Sequence, residues 1–398
     1  MPPTLLTNSA PCAASSEPFP GPPPPRADEP TDMLKTVSTA ILLIAACAIP
    51  ISASAQKNQN SGKTQAAATA RSTAANGSTV YATRPEALQF ANDLAQRRDL
   101  DREWVRQAIG QARFLPQVPK LMLPPPKGTA KNWRVYRSRF IDPVRIRAGL
   151  RFWQDNADTL ARAESEFGVP AQTIVGIIGV ETIYGQQMGN FRVMDALATL
   201  AFDFPAAHPR AAERTEFFKR ELEQFLSLTH RTNVDPFEPR GSYAGAMGLG
   251  QFMPSSWVRH AIDFDGDGSV DLFNSPADAI GSVANYFIAH GWTPGMATHY
   301  SVQFDSDPAR VQLDELLAPD ILPTFSAASM QAKGAVLDAT GAQHTGPLAL
   351  VELQNGGDTP SYVAGTENFY AITRYNWSSY YAMAVIELGR EVAAARRP

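Results

Sequence analysis

The sequence predicts a mainly helical fold with α+β character, on three observations. Apolar residues recur at helical spacing through most of the chain after residue 79. One late stretch, residues 291–368, lacks that period and carries the short β-like runs 298–304 and 347–353, which reads as a small β-rich insertion before the last helix. The only two cysteines, Cys12 and Cys47, lie near the N-terminus, so neither a disulfide framework nor thiolate zinc holds the folded part. With 398 residues, 44% of them hydrophobic and 19% charged, the chain can bury one large core or two smaller ones. A formal net charge of -4 leaves no electrostatic footprint for nucleic acid.

Residues 1–32 are rich in Pro, Ser and Ala, with a proline run at 22–25, and read as a disordered or non-native upstream extension. Met33 opens a second start. Lys35, the apolar run 37–51 and Ala53-Ser54-Ala55 before Gln56 make residues 33–55 a secretory signal, and the apolar run is short for a bilayer span. The mature chain is therefore read as periplasmic. Ile44-Ala45-Ala46-Cys47 offers a second form of export, an outer-membrane lipoprotein anchored to the membrane through an acylated Cys47. The residues after Cys47 remain apolar where lipoproteins turn polar, so cleavage after Ala55 is preferred. Residues 56–78 are a flexible polar linker, and 79–398 read as one compact unit with no internal repeat.

Helices are expected over residues 85–107, 143–167, 170–184, 214–228, 254–261, 276–290 and 378–394. In the third of these, Pro170 suits a first turn and Gly185 the position just past a helix end. Glu181 is the only charged side chain between them, set among Ile174, Val175, Ile177, Ile178 and Val180. An apolar setting disfavours the carboxylate, and the negative end of the helix dipole acts in the same direction. Both raise the pKa, as a general acid working near neutral pH requires. The plain alternative is a helix-end carboxylate facing water.

The segment 241–257 carries Gly245, Gly248 and Gly250, which let backbone approach a neighbour or a ligand. No Gly-Lys-Ser/Thr follows, so it is not a phosphate loop. Gln251 within it is a neutral donor and acceptor suited to an amide or hydroxyl group. Residues 263–274 follow, with Asp263, Asp265, Asp267 and then Gly268 at the first, third, fifth and sixth positions of an EF-hand-like calcium loop. The twelfth position is Asn274 instead of Glu, and Asp278 closes the site in a longer loop. An Asp/Gly turn without metal is the alternative. Tyr136, Tyr243, Tyr286, Tyr375, Trp377, Tyr380 and Tyr381 are candidates for stacking on sugar rings.

Taken together, the motifs 179–185, 245–254, 263–287 and 373–376 occur in an order that resembles the lytic murein transglycosylase B family, over residues 81–394. The resemblance implies a lysozyme-like core with a helical lobe, a β-rich lobe and a structural calcium in an EF-hand-type loop, with no organic cofactor. It implies a monomer that acts on peptidoglycan glycan strands. The bond cleaved would be the β-1,4 link from N-acetylmuramic acid to N-acetylglucosamine, broken without water to leave a 1,6-anhydro end. Glu181 matches the family's single acid and base. Ser242, Gln251, Tyr136, Tyr286, Tyr375, Asn376 and Tyr381 match substrate-cleft positions, and Asp263, Asp265, Asp267, Ser269 (through its carbonyl) and Asp278 match metal ligands. Two departures stand out. Residues 204–214 are longer than the family's paired arginines, so that only Arg214 keeps a match, and the calcium loop is one residue longer near Ser275. A hydrolytic muramidase on the same fold, which needs a second carboxylate, and a non-catalytic peptidoglycan-binding protein are the rival readings.

Overall fold

The computed structural model describes residues 80–124, 131–308 and 311–396. The leader, the linker and both cysteines lie outside the described residues. Among those described, no helix is long and apolar enough to cross a membrane.

Two helices form the axis of the main core. Ala171–Thr182, the central helix, lies against the last helix, Ser379–Ala395. Their backbones touch through glycine. A Cβ on Gly176 would stand 2.2 Å from the carbonyl oxygen of Val385, and one on Gly389 would stand 2.1 Å from that of Gln172. Any larger residue would force the helices apart. The pairs 176/385 and 172/389 run in opposite directions along the two chains, so the helices are antiparallel in a fixed register. One more turn of that register brings Glu181 opposite Tyr381. Ile174, Ile177 and Ile178 are fully buried on the central helix, each worth roughly 1.5–3 kcal/mol of burial.

Two long helical expectations divide. Residues 85–107 become Pro85–Arg98 and Arg102–Gln111, with Asp99 left-handed at φ 51° and Asp101 accepting from the Trp104 N–H to start the second helix. Residues 143–167 divide at Asn156 into Pro143–Asp155 and Ala157–Phe167. Each pair faces one core, so the apolar period runs through the break and conceals it. Val193–Phe202 was not anticipated, because all ten of its residues are buried and it has no polar face to set a period. It packs on the long helix Ala211–Arg231 and builds a second lobe around Leu94, Ile109, Phe218 and Phe225.

The β-rich insertion holds a four-stranded antiparallel sheet in the order Ala335–Leu337, His299–Phe304, Asp358–Gly365, Ala349–Asn355. The two expected runs are strands. Asp358–Gly365, the short helices Leu313–Leu317 and Ala327–Ala332, and the helix Glu367–Tyr375 that follows were not foreseen. Met330, Leu348, Leu350 and Ala364 give the insertion its own small core. Its hairpin tip reaches the main core: the Gly356 N–H donates to the Lys131 carbonyl, and Tyr380 donates to that of Gln354.

Candidate active site

The central helix stops at Thr182, two residues earlier than expected, in a turn where Ile183, Tyr184 and Gly185 take φ of 51°, 56° and 88°. Left-handed backbone at Ile and Tyr costs on the order of 1–3 kcal/mol each. Packing holds it: the Tyr184 ring runs back beneath the helix, with its hydroxyl lodged against Gly149 and Gly179. The turn leaves Glu181 in the last helical turn, half-buried at the floor of a cleft.

Tyr381, across the helix pair, donates its hydroxyl to Glu181 Oε1 at 2.5 Å. Burial pushes the Glu181 carboxyl up from 4.5 to about 7, and the Tyr381 hydrogen bond, which favours the charged form, pulls the other way. Desolvation and the Glu181 charge hold the phenols of Tyr375 and Tyr381 well above their ordinary value of 10.0, so both stay neutral donors. Tyr375 lies parallel to Tyr381 with centroids 6.5 Å apart and donates to the Gly250 carbonyl at 2.6 Å.

The Gly-rich segment forms the facing wall as a tight loop closed by paired hydrogen bonds between Met247 and Phe252. Thr182, next to the acid, donates its hydroxyl to the Leu249 carbonyl at 2.8 Å, and the Leu249 N–H donates to the Leu272 carbonyl at 2.8 Å. The acid helix, the cleft loop and the 263–278 loop are thereby tied together. Gln251 sits at φ 51° and spends its amide nitrogen on the carbonyls of Met188 and Gly248, which leaves Oε1 without a partner among the described residues. The Ser242 hydroxyl accepts from the Ala246 N–H at the same wall.

Of the residues expected at the site, the cleft brings together Glu181, Tyr136, Ser242, Gln251, Tyr375, Asn376 and Tyr381. Tyr286 and Arg214 do not line it. Tyr286 is buried behind Tyr375, 4.7 Å between centroids, and its hydroxyl is used on the Arg374 carbonyl. Arg214 is buried in the second lobe over Phe217 and Phe218, where desolvation lowers its pKa to about 10. Of the other aromatic candidates, Tyr243 lines the cleft, whereas Tyr380 and Trp377 do not. The sequence reading missed Phe140, Arg145, Gln187 and Met253, which also line it. The helix start at Pro143 was legible, but no local pattern shows that this first turn opens on the cleft.

Helices Pro254–His260 and Pro276–Ala289 flank the acidic loop. Carboxylate oxygens of Asp263, Asp265 and Asp278 converge within 4.8 Å of one another. No Lys or Arg pairs with them among the described residues, so a cation would relieve their repulsion, and hard oxygen donors suit calcium. Asp278 is buried and also accepts from the N–H groups of Phe264, Asp265 and Asp271. Asp267 is not among the converging carboxylates, and its Oδ1 accepts from the Ser269 N–H and hydroxyl. Asn274 donates to Asp271, consistent with Asp278 closing the loop in its place.

Residues 82–390 match a family model described as a transglycosylase SLT domain. The chain is 41% identical over 330 residues to membrane-bound lytic murein transglycosylase B of Escherichia coli (strain K12), covering 79% of this chain and 85% of that one. The E. coli lytic transglycosylase SLT35, solved in complex with bulgecin A, superposes with a TM-score of 0.69 at 40% identity, covering 80% of this chain and 96% of that one. The same enzyme has been solved in complex with calcium, with a TM-score of 0.68. SltB3 of Pseudomonas aeruginosa, in complex with NAG-NAM-pentapeptide, superposes with a TM-score of 0.61 at 28% identity over 77% of this chain and 79% of that one.

Proposed function

The chain belongs to the transglycosylase SLT domain family and is a lytic murein transglycosylase that degrades peptidoglycan; from that premise we propose that Glu181 alone performs its proton chemistry. The observation that carries this is solitude: Glu181 is the only carboxylate among the described residues lining the cleft. Hydrolytic glycosidases pair two, set apart by a distance that fits a nucleophile or a water. A group with a pKa of about 7 is protonated often enough to donate and deprotonated often enough to accept. Neutral Glu181 gives its proton to the glycosidic oxygen as the bond to the muramic acid anomeric carbon breaks. The carbonyl oxygen of the 2-acetamido group bonds to that carbon in the meantime. The Glu181 carboxylate then takes the proton of the C6 hydroxyl while O6 displaces the acetamido oxygen, closing the 1,6-anhydro ring and restoring the acid.

Mass spectrometry of the fragments released from purified sacculi tests this. Anhydro-muramic ends are expected, and reducing muramic ends in their place would return the reading to a hydrolase.

Tyr381 is proposed to keep this acid from rising further. A hydrogen bond donated to a carboxylate stabilises the charged form, so its removal raises the pKa. Tyr381→Phe is expected to move the alkaline limb of the pH–rate profile upward from about 7, with a rate loss of about tenfold or more. An unmoved limb would show that the contact does not tune the acid.

Calcium is the metal proposed for the 263–278 loop, supported by the converging carboxylates and by the calcium in SLT35. It would brace the loop that holds Leu249, with no part in bond cleavage. The working place is proposed to be the periplasm, supported by the leader at 33–55 and by a substrate that lies outside the cytoplasmic membrane. The N-terminal residue of the mature protein, Gln56 or an acylated Cys47, separates the soluble from the anchored form.

A further inference from the structure

We propose that Arg145 binds a carboxylate on the lactyl branch of muramic acid, so that the cleft prefers glycan carrying that charge; this rests on the lytic transglycosylase reading above. Among the described lining residues Arg145 is the only cation, and Glu181, the only acid, begins the reaction neutral. The positive group that this cleft offers a substrate is therefore the guanidinium, ion-paired on one side with Asp142. The sugar rings of the glycan carry hydroxyls and acetamido groups and no charge. Its carboxylates hang on the lactyl branch, either on the attached peptide or, where the peptide has been removed, on the lactyl group itself.

The guanidinium is held for such a contact. Asp142 caps the helix Pro143–Asp155, with Oδ1 accepting from the N–H groups of Val144 and Arg145. Its Oδ2 takes Arg145 Nη1 at 2.8 Å, and the Arg139 carbonyl takes the same nitrogen at 2.8 Å. The plane is seated over the Phe140 ring, 5.3 Å from its centroid. One nitrogen is thus fixed by two protein acceptors. Among the described residues Nη2 has no hydrogen-bond partner, and Nε is buried without one. A buried donor left unmade is costly, and an incoming acceptor with its attendant rearrangement can recover that cost. Arginine binds carboxylates through two adjacent nitrogens, and Nε with Nη2 is the pair that the protein leaves unused.

The test compares three substrates: peptide-bearing glycan, the same glycan with its carboxylates converted to amides, and bare strands with a free lactyl carboxylate. Arg145→Gln is expected to lose about tenfold more kcat/KM on peptide-bearing glycan than on the amidated form, the scale of one charge-assisted contact. An equal loss on both would overturn the proposal. A matching loss on bare strands shows that the guanidinium takes either carboxylate, and a loss confined to peptide-bearing strands assigns the peptide's; either supports it. Arg145→Lys keeps a positive charge but not the paired nitrogens, and is expected to lose most of the preference, whereas a Lys variant that keeps it in full would overturn the two-nitrogen contact. Release of anhydro ends from amidated glycan by the unaltered protein keeps the lytic reading separate from the outcome at Arg145.

Discussion

Glu181→Gln is expected to cut the release of anhydro ends from sacculi by about 10²–10⁴-fold, the span that one general acid–base group supplies. Glutamine keeps the shape and can still accept from Tyr381 at Oε1, so the fold should survive. It should even gain stability, in a pH-dependent way. The native carboxyl sits at about 7 against an ordinary 4.5, so the folded state holds its proton more tightly than the unfolded chain. The stability that this proton brings is complete below 4.5, is lost as the pH rises through about 7, and changes little beyond. Glu181→Gln has no proton to lose. The difference in stability between the two proteins should therefore widen between those limits, up to about 3 kcal/mol. Residual turnover near that of the unaltered protein would move the acid elsewhere. A stability difference that stays flat with pH would show that Glu181 is not desolvated as the structure has it.

The second large effect is expected at Asp278. Asp278→Ala removes the acceptor for the N–H groups of Phe264, Asp265 and Asp271 and leaves them short of partners. Of these donors only that of Phe264 is buried, and stranding a buried donor costs about 1–3 kcal/mol, so a loss of that order is expected even in chelator. Calcium adds a separate signature. Binding to the native state alone raises stability by about 2.7 kcal/mol at a hundredfold excess over Kd. The unaltered protein should therefore melt higher in millimolar calcium than in chelator, and Asp278→Ala should lose that response with one of the three converging carboxylates. Identical melting curves for the unaltered protein in calcium and in chelator would sink the metal site while leaving the structural part of the prediction standing. Catalysis should suffer only indirectly, through the Leu249–Leu272 hydrogen bond that links this loop to the cleft wall.

Much of the site was legible because its chemistry is local. An isolated acid on an apolar helix, a glycine-rich loop with a glutamine, and aspartates at alternate positions are patterns within a dozen residues, where spacing along the chain is spacing in space. Periodicity was equally informative for amphipathic helices and uninformative for Val193–Phe202, which is buried on every side. It also ran through the breaks at Asp99 and Asn156, where a turn preserves the buried face.

The sequence by itself determined the candidate acid, the glycine-rich loop, the run of aspartates and the helical class. Only the tertiary structure decided which distant side chains meet them. Tyr381 and Tyr286 read alike as polar-tipped aromatics. One reaches Glu181 because Gly176 and Gly389 lock two antiparallel helices in register, and the other is spent behind Tyr375 on a backbone carbonyl. Arg214 was expected at the cleft and Arg145 was not, and for the same reason the first is buried among phenylalanines and the second opens on the cleft. A residue's type states what it can do. Its partner is settled by close packing between segments far apart in the chain, where a displacement of an ångström or two makes or breaks a hydrogen bond.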